Sequence, residues 1–275
     1  MAVYRINGRQ SAARILAALR EEVRLLPRAP RLKVFMVGTR PASESYVRTK
    51  GRIAKEVGIE YVFERFPEEV STETLCAALR RAQEDACIVQ LPLPAHIATD
   101  TVLSAIPVEK DVDVLSPEAS ARFEQNVGDA LLPPVVFAIR EVLARAKVNP
   151  EGKKTLIIGN GRLVGKPAAV WLRARGAQVR VVTRASGALA PALAWADIIV
   201  SGAGAPALVT PELISQGVVL IDAGTSESEG VLVGDIDPAC QEKASVFTPV
   251  PGGIGPLTVA GLLSNAVALA ARRFA

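Results

Sequence analysis

KTLIIGNGRLVGKPAAVWLRARGAQVRVVTRAS, residues 154–186, packs four signals into one stretch. Lys154–Ile158 is a short β-branched run and Gly159–Gly165 a glycine-rich turn. A helical pattern through Trp171 to Arg175 follows, then a second strand, Gln178–Thr183. Strand, glycine turn, helix and strand in this order make a βαβ unit, whose turn aims backbone N–H groups and a helix N-terminus at an anion. The spacing is GxGxxxG, not the GxGxxG of the common dinucleotide fingerprint, so the turn alone is a weak signal. Its bland alternative is a tight strand–helix connection without a ligand. Two further apolar strands, around Asp197–Val200 and Val218–Ile221, extend the pattern and favour a dinucleotide at Gly159, Asn160 and Gly161. Where an NAD site places an acid for the ribose 2′-hydroxyl, this chain has Arg184 and Ser186. A cation beside a hydroxyl suits a 2′-phosphate, so NADP is favoured over NAD as the cofactor; the bland alternative is an exposed loop arginine.

Upstream, the same alternation of helix and strand recurs. Residues 8–26 are helix-periodic and LKVFMV (32–37) is a buried strand; residues 43–57 are helical again, with Ser43 as N-cap and Gly58 as stop. IEYVF (59–63), a helix over 72–82 and ACIVQL (86–91), ended by the prolines of LPLP, complete a parallel α/β pattern. Prolines 107, 117, 133 and 134 interrupt the rhythm and mark a passage between domains; a connecting helix over 135–146 follows. A glycine-rich loop, Thr248–Thr258, leads into an apolar helix over 259–271. The expected fold is α/β with two domains: a parallel-sheet domain over 1–134 completed by 258–275, and a Rossmann-like domain over 135–257, with a cleft between them.

Composition narrows the function. The 275 residues are 49% apolar and 22% charged, and no apolar run approaches the about 18–20 residues of a bilayer span, so a soluble globular protein is expected. The start MAVYRINGRQ lacks a signal-peptide core, and three cysteines without a CxxC pair point to a reducing cytoplasm. A single histidine, His96, leaves little material for a His-based metal site or a Ser/His/Asp triad, and no metal is expected. The net charge of +4 is scattered among acids and aromatics are only 4%, which speaks against nucleic acid as a partner. Proton chemistry falls to Lys, Asp, Tyr and amides.

Tyr46 and Lys50 stand at i, i+4 and share one helix face. The short-chain dehydrogenases use such a pair, but there the nucleotide loop precedes it, whereas here it follows by more than a hundred residues. An aromatic and a lysine on a half-buried face is the bland reading. Gln90, at the carboxyl end of the ACIVQL strand, and Asp113, in KDVDV, converge on the same region, because ligands of parallel sheets bind outside the carboxyl ends of strands. A lysine desolvated beside an amide can move protons at neutral pH. Cys87, Trp171, Trp195 and His96 read as structural.

The segments VGTRPASESYVRTKGRIAKEVGIE (37–60), VQLPLP (89–94), KDVDV (110–114), GNGRLVGKP (159–167) and TPVPGGIGPLTVAGLL (248–263) run in order over nearly the whole chain. On them the sequence resembles the bifunctional methylenetetrahydrofolate dehydrogenase/methenyltetrahydrofolate cyclohydrolase family. The resemblance implies oxidation of 5,10-methylene-tetrahydrofolate with NADP, then hydrolysis to 10-formyl-tetrahydrofolate. It implies that Lys50 is the catalytic lysine, that Tyr46 orients the folate, that Gln90, beside Leu91, tunes the lysine, and that Asp113 holds the pterin. Pro251, Gly252 and Gly253 would line folate and nicotinamide; Gly159, Asn160 and Gly161 would cradle phosphates, and Arg184, Ser186 and Thr225 would meet the nucleotide. It further implies a homodimer, no metal, and tetrahydrofolate derivatives, polyglutamylated forms included, as partners, with no membrane.

The chain departs from the family pattern at several positions. Val114 stands where the family has glycine, Pro133-Pro134-Val135-Val136 where it has Pro-Cys-Thr-Pro, and Gly161 where it has serine. Gly224-Thr225-Ser226 replaces glycine–isoleucine–asparagine, so the role given to Thr225 follows its position and not its residue type. Two other readings stay open: a shikimate-type or amino-acid dehydrogenase of the same plan, and a non-catalytic relative that binds folate or nucleotide.

Overall fold

The computed structural model describes residues 3–187, 189–228 and 231–274. In chain order the first elements are β1 (Tyr4–Arg5), α1 (Gly8–Arg24), β2 (Arg31–Val37), α2 (Pro41–Val57), β3 (Glu60–Phe66), α3 (Thr72–Arg81), β4 (Ala86–Val89), α4 (Thr99–Ser104) and α5 (Pro117–Glu124). Then come α6 (Pro134–Arg145), β5 (Lys154–Ile158), α7 (Gly165–Ala174), β6 (Gln178–Val182), α8 (Leu189–Trp195), β7 (Ile198–Ser201) and β8 (Val219–Asp222). A hairpin of β9 (Ser226–Ser228) and β10 (Val231–Val233), then β11 (Val246–Phe247) and α9 (Ile254–Arg272), complete the chain.

Two compact units result: Met1–Ala12 with Pro134–Thr258, and Ala13–Pro133 with Val259–Ala275. In the second unit β2 is the middle strand of a parallel sheet ordered β3-β2-β4. Its side chains alternate as a strand buried on both faces requires. Leu32, Val34 and Met36 pack with Leu19 and Val23 of α1, Val47 and Ala54 of α2, and Val259 and Leu263 of α9. Phe35 and Val37 face the other way, onto Leu75 and Leu79 of α3 and Val102 and Leu103 of α4. Each such side chain contributes about 1.5–3 kcal/mol on burial, which fixes the ends of β2 and β4 where the candidate residues emerge.

The first unit holds a six-stranded parallel sheet ordered β1-β11-β8-β7-β5-β6. From β5 the chain passes to β6 on one side and then returns to β7 on the other. The carboxyl ends of β5 and β7 therefore form a topological switch point, the place where open α/β sheets bind ligands.

Three expectations need correction. The stretch before Ala12 belongs to the nucleotide-type unit, not to the domain over 1–134, because Tyr4 and Arg5 pair in parallel with Val246 and Phe247. Tyr4 N donates to Ser245 O at 2.8 Å and Ile6 N to Phe247 O at 2.9 Å, and such backbone pairing leaves no periodicity in a two-residue strand. The expected limits Met1, Ala2 and Ala275 lie outside the described residues. Second, α2 begins at Pro41 after Arg40, not after Ser43, since proline fits the first helical turn where its missing N–H has no partner to lose. Third, α9 starts at Ile254, inside the expected loop, with Pro256 in its first turn. Among the described residues it is the one helix long and apolar enough to cross a membrane, so the apolar stretch is longer than the sequence pattern suggests. Its buried Leu262, Leu263, Ala266 and Val267 make it a core helix of the three-stranded unit.

Candidate active site

Lys50 lies in the middle of α2, whose carboxyl end is closed by Gly58 at φ 94°. Tyr61 of β3 donates its hydroxyl to Val47 O at 3.0 Å and ties the helix to the sheet. The Lys50 side chain is buried, at 6% exposure, and Nζ donates to Gln90 Oε1 at 3.1 Å. Gln90 follows β4 directly; its backbone N–H donates to Phe35 O at 2.8 Å and Nε2 to Leu91 O at 2.7 Å. With Nε2 engaged, the amide turns its oxygen toward the lysine. The Tyr46 ring, half exposed, lies with its centroid 5.1 Å from Nζ. The structure thus brings Tyr46, Lys50, Gln90 and Leu91 together.

Burial pushes the Lys50 amine below its ordinary range, against the opposing pull of the Asp113 charge. Burial raises the Asp113 carboxyl to about 6, with Lys50 holding it down and Asp111 adding to the rise. An amine and a carboxyl both drawn toward neutrality is the electrostatic pattern of a proton-transfer site.

Asp113 sits in a turn closed by Asp111, whose Oδ2 accepts from Leu115 N at 2.9 Å and Ser116 N at 2.6 Å. Val114 takes φ 58° there, a left-handed conformation that costs an L-residue about 1–2 kcal/mol. This is the position where the family pattern has glycine. Val114 is nonetheless 4% exposed, and losing its burial costs about 1.5–3 kcal/mol. Strain relief offsets much of that loss in Val114→Gly, so urea unfolding should place the variant no more than about 2 kcal/mol below the parent. A loss above about 3 kcal/mol would show that the turn carries no strain. Val135, in the departing segment 133–136, is buried in α6.

At the switch point, Gly159 takes φ 95°, and a Cβ there would lie 2.8 Å from Gly202 O; a Cβ on Gly165 would lie 2.0 Å from Gly159 O. Only glycine lets the amino end of α7 close onto the turn, and no side chain caps that helix end. A pyrophosphate there would meet the backbone of the glycine turn leading into α7; within the helix itself Pro167 has no N–H and Lys166 N donates to Gly161 O at 3.1 Å. A Cβ on Gly161 would meet open space, so packing tolerates either its glycine or a serine there. Gly159 N donates to Val182 O at 2.8 Å, setting this turn beside the end of β6. There Ser186 N donates to Thr183 O at 3.0 Å and Ser186 Oγ accepts from Thr183 N at 2.9 Å, forming a turn that displays the exposed Arg184. Gly159, Asn160, Gly161, Arg184 and Ser186 therefore share adjacent strand ends. Thr225 is exposed beyond β8, two strands from β5, and Pro251–Gly253 follow β11, with Gly252 O accepting from Gly8 N at 2.9 Å.

Sequence reading gave no role to the buried carboxylates Asp111, Asp222 and Asp235, nor to Glu84 and Asp85. The one available signal was an acid closing an apolar strand, as in VVLID (218–222).

Comparison with known proteins agrees with this geometry over both units. Residues 6–113 match the family model for the tetrahydrofolate dehydrogenase/cyclohydrolase catalytic domain, and residues 133–274 that for the NAD(P)-binding domain. The bifunctional protein FolD of Moorella thermoacetica is 38% identical over 97% of this chain and 98% of its own. Among solved structures, FolD of Campylobacter jejuni superposes with a TM-score of 0.95 at 33% identity, covering 99% of this chain and 100% of its own. The Trypanosoma brucei enzyme, complexed with NADP and an inhibitor, gives 0.92 at 34% identity, covering 99% and 98%. With both domains matched in order and the lysine, glutamine and aspartate gathered in one unit, this chain belongs to the tetrahydrofolate dehydrogenase/cyclohydrolase family.

Proposed function

We propose that this enzyme oxidises 5,10-methylene-tetrahydrofolate to the 5,10-methenyl compound with NADP and hydrolyses that product to 10-formyl-tetrahydrofolate. The observation that carries the reading is a buried Lys50 Nζ, 3.1 Å from Gln90 Oε1, with the Asp113 charge acting on it.

In the first step a hydride leaves the carbon bridging N5 and N10, and the positive charge that remains spreads over both nitrogens. NADP, when bound, supplies the acceptor. No strong acid is needed, so the protein's contribution is to hold the folate still. The Tyr46 ring offers a stacking face and the Asp113 carboxylate an acceptor for a pair of pterin N–H groups. For the nucleotide, the Gly159–Gly161 turn at the start of α7 would hold the pyrophosphate, and Arg184 the 2′-phosphate.

Hydrolysis adds water to the methenyl carbon. Lys50, held below its ordinary basicity, takes a proton from that water and returns it to N5 as the carbon–N5 bond breaks. The second proton of the water leaves to solvent as the formyl C=O forms on N10. Gln90 fixes the amine in place through both steps. The test is formation of 10-formyl-tetrahydrofolate from the methenyl compound without nucleotide. The expected result is a rate well above that in buffer; an unchanged rate would contradict the hydrolytic half.

A pH dependence follows from Asp113. A carboxyl raised to about 6 is protonated below that pH, and the neutral acid cannot accept from both pterin N–H groups. Folate affinity should therefore be flat above about pH 6.5 and fall by up to about tenfold per unit below pH 6. Calorimetric titration from pH 5 to 8 checks this; an affinity constant down to pH 5 would contradict the role.

We also take the protein to work as a homodimer in the cytoplasm, on tetrahydrofolate derivatives that include polyglutamylated forms, and to supply 10-formyl-tetrahydrofolate to purine biosynthesis. The family resemblance supports this, and the free, buried Cys76, Cys87 and Cys240 suit a reducing compartment.

A further inference from the structure

The wall of the switch-point crevice opposite the glycine turn is the loop after β7, Gly202–Ala205. Gly202 N donates to Ile158 O at 2.9 Å, and the space where a Gly159 Cβ would sit is bounded by Gly202 O at 2.8 Å and Ala203 Cα at 3.4 Å. This loop reads Gly-Ala-Gly-Ala, belongs to no helix or strand and is partly exposed. It has no large side chain to anchor it, and a loop of this kind ordinarily fluctuates.

What holds it is a carboxylate from elsewhere in the unit. Asp235 is fully buried. Its Oδ2 accepts from Ser201 Oγ at 2.7 Å, Ala203 N at 2.8 Å and Gly204 N at 3.3 Å, and its Oδ1 accepts from Ala205 N at 2.8 Å. Asp235 is braced in turn by Asp222 at the end of β8, whose Oδ1 accepts from Asp235 N at 3.2 Å and Gly224 N at 2.9 Å, while Oδ2 accepts from Ile236 N at 2.9 Å. A Cβ on Gly224 would lie 2.1 Å from Asp235 Cγ, so glycine there leaves the carboxylate its room. Two acids thus tie together the loops that leave β7 and β8. A carboxylate suits this task because its two oxygens offer about four acceptor sites, matching four donors, whereas an amide has a single acceptor oxygen.

We propose that Asp235, braced by Asp222, is a positioning residue for nucleotide binding, which freezes the Gly202–Ala205 wall before the dinucleotide arrives. The proposal rests on the reading that the β5/β7 crevice binds NADP. A wall ordered in advance spares the ligand the entropic cost of ordering it.

Asp235→Asn keeps the shape of the side chain and turns one oxygen into an NH₂ that opposes a backbone N–H. Two readouts on the full-length protein separate positioning from simple loss of structure: NADP affinity by calorimetry, and hydrolysis of methenyl-tetrahydrofolate, which consumes no nucleotide. The expected result is an NADP Kd about tenfold higher, with hydrolysis within about twofold of the parent. An unchanged Kd would overturn the proposal, and so would a proportional fall in both readouts. Hydrogen exchange on the parent protein decides the matter should Asp235→Asn not fold. The Ala203 and Ala205 amides should already be protected without NADP and change less than about twofold when it is added; protection that appears only with NADP would contradict a preordered wall. A parent protein without measurable NADP affinity would overturn the dinucleotide reading itself and this proposal with it, whereas a parent and variant that bind equally overturn the proposal alone.

Discussion

Lys50→Met should lower hydrolysis of methenyl-tetrahydrofolate by about 10²–10⁴-fold, the range for removing a positioned proton carrier. Methionine keeps most of the length and apolar volume of the lysine stem, which matters for a side chain only 6% exposed. It removes the one amine that Gln90 Oε1 accepts from at 3.1 Å and leaves that oxygen without its donor. NADP affinity should stay within about twofold of the parent, since Lys50 and the Gly159 turn belong to different units. The oxidative step, which needs no proton transfer, should fall much less than hydrolysis. Following the decay of the methenyl chromophore in the variant checks this directly. Hydrolysis at the parent rate would remove Lys50 from the mechanism.

Arg184→Ala should raise the KM for NADP by about 10–100-fold while leaving that for NAD within about twofold. The size is that of a charge-assisted hydrogen bond, about 1.5–3 kcal/mol. Arg184 stands exposed on the Thr183–Ser186 turn at the end of β6, beside the glycine turn, and Ser186 Oγ helps to close that turn at 2.9 Å from Thr183 N. Steady-state kinetics with both nucleotides make the comparison. Equal changes in the two constants would mean that Arg184 does not read the 2′-phosphate.

Where chemistry follows local pattern, the chain is readable. Tyr46 and Lys50 are four residues apart on a periodic helix, Gln90 ends an apolar run, and Gly159 follows one; each position is set by its own neighbours in sequence. Features that depend on distant backbone are not readable. β1 is recognised only through Val246 and Phe247, more than two hundred residues away. Asp235 looks like any acid in a loop until the amides of Ala203 and Ala205 are found on its oxygens. The apolar composition of α9 is visible, but its start at Ile254 is masked by Gly255 and Pro256 in its first turn. Val114 lies between. Its strain is invisible from composition, but the family's preference for glycine there marks the left-handed conformation the structure displays.

Both activities can be followed in one assay of the purified protein with 5,10-methylene-tetrahydrofolate, comparing NADP with NAD and recording reduced nucleotide and methenyl product separately. The expected result is turnover with NADP, transient methenyl accumulation, and its decay to 10-formyl-tetrahydrofolate. No turnover, with folate still bound by calorimetry, would contradict it. That result would identify a binding protein that has lost catalysis and would point to Val114 and Val135 as the residues to revert.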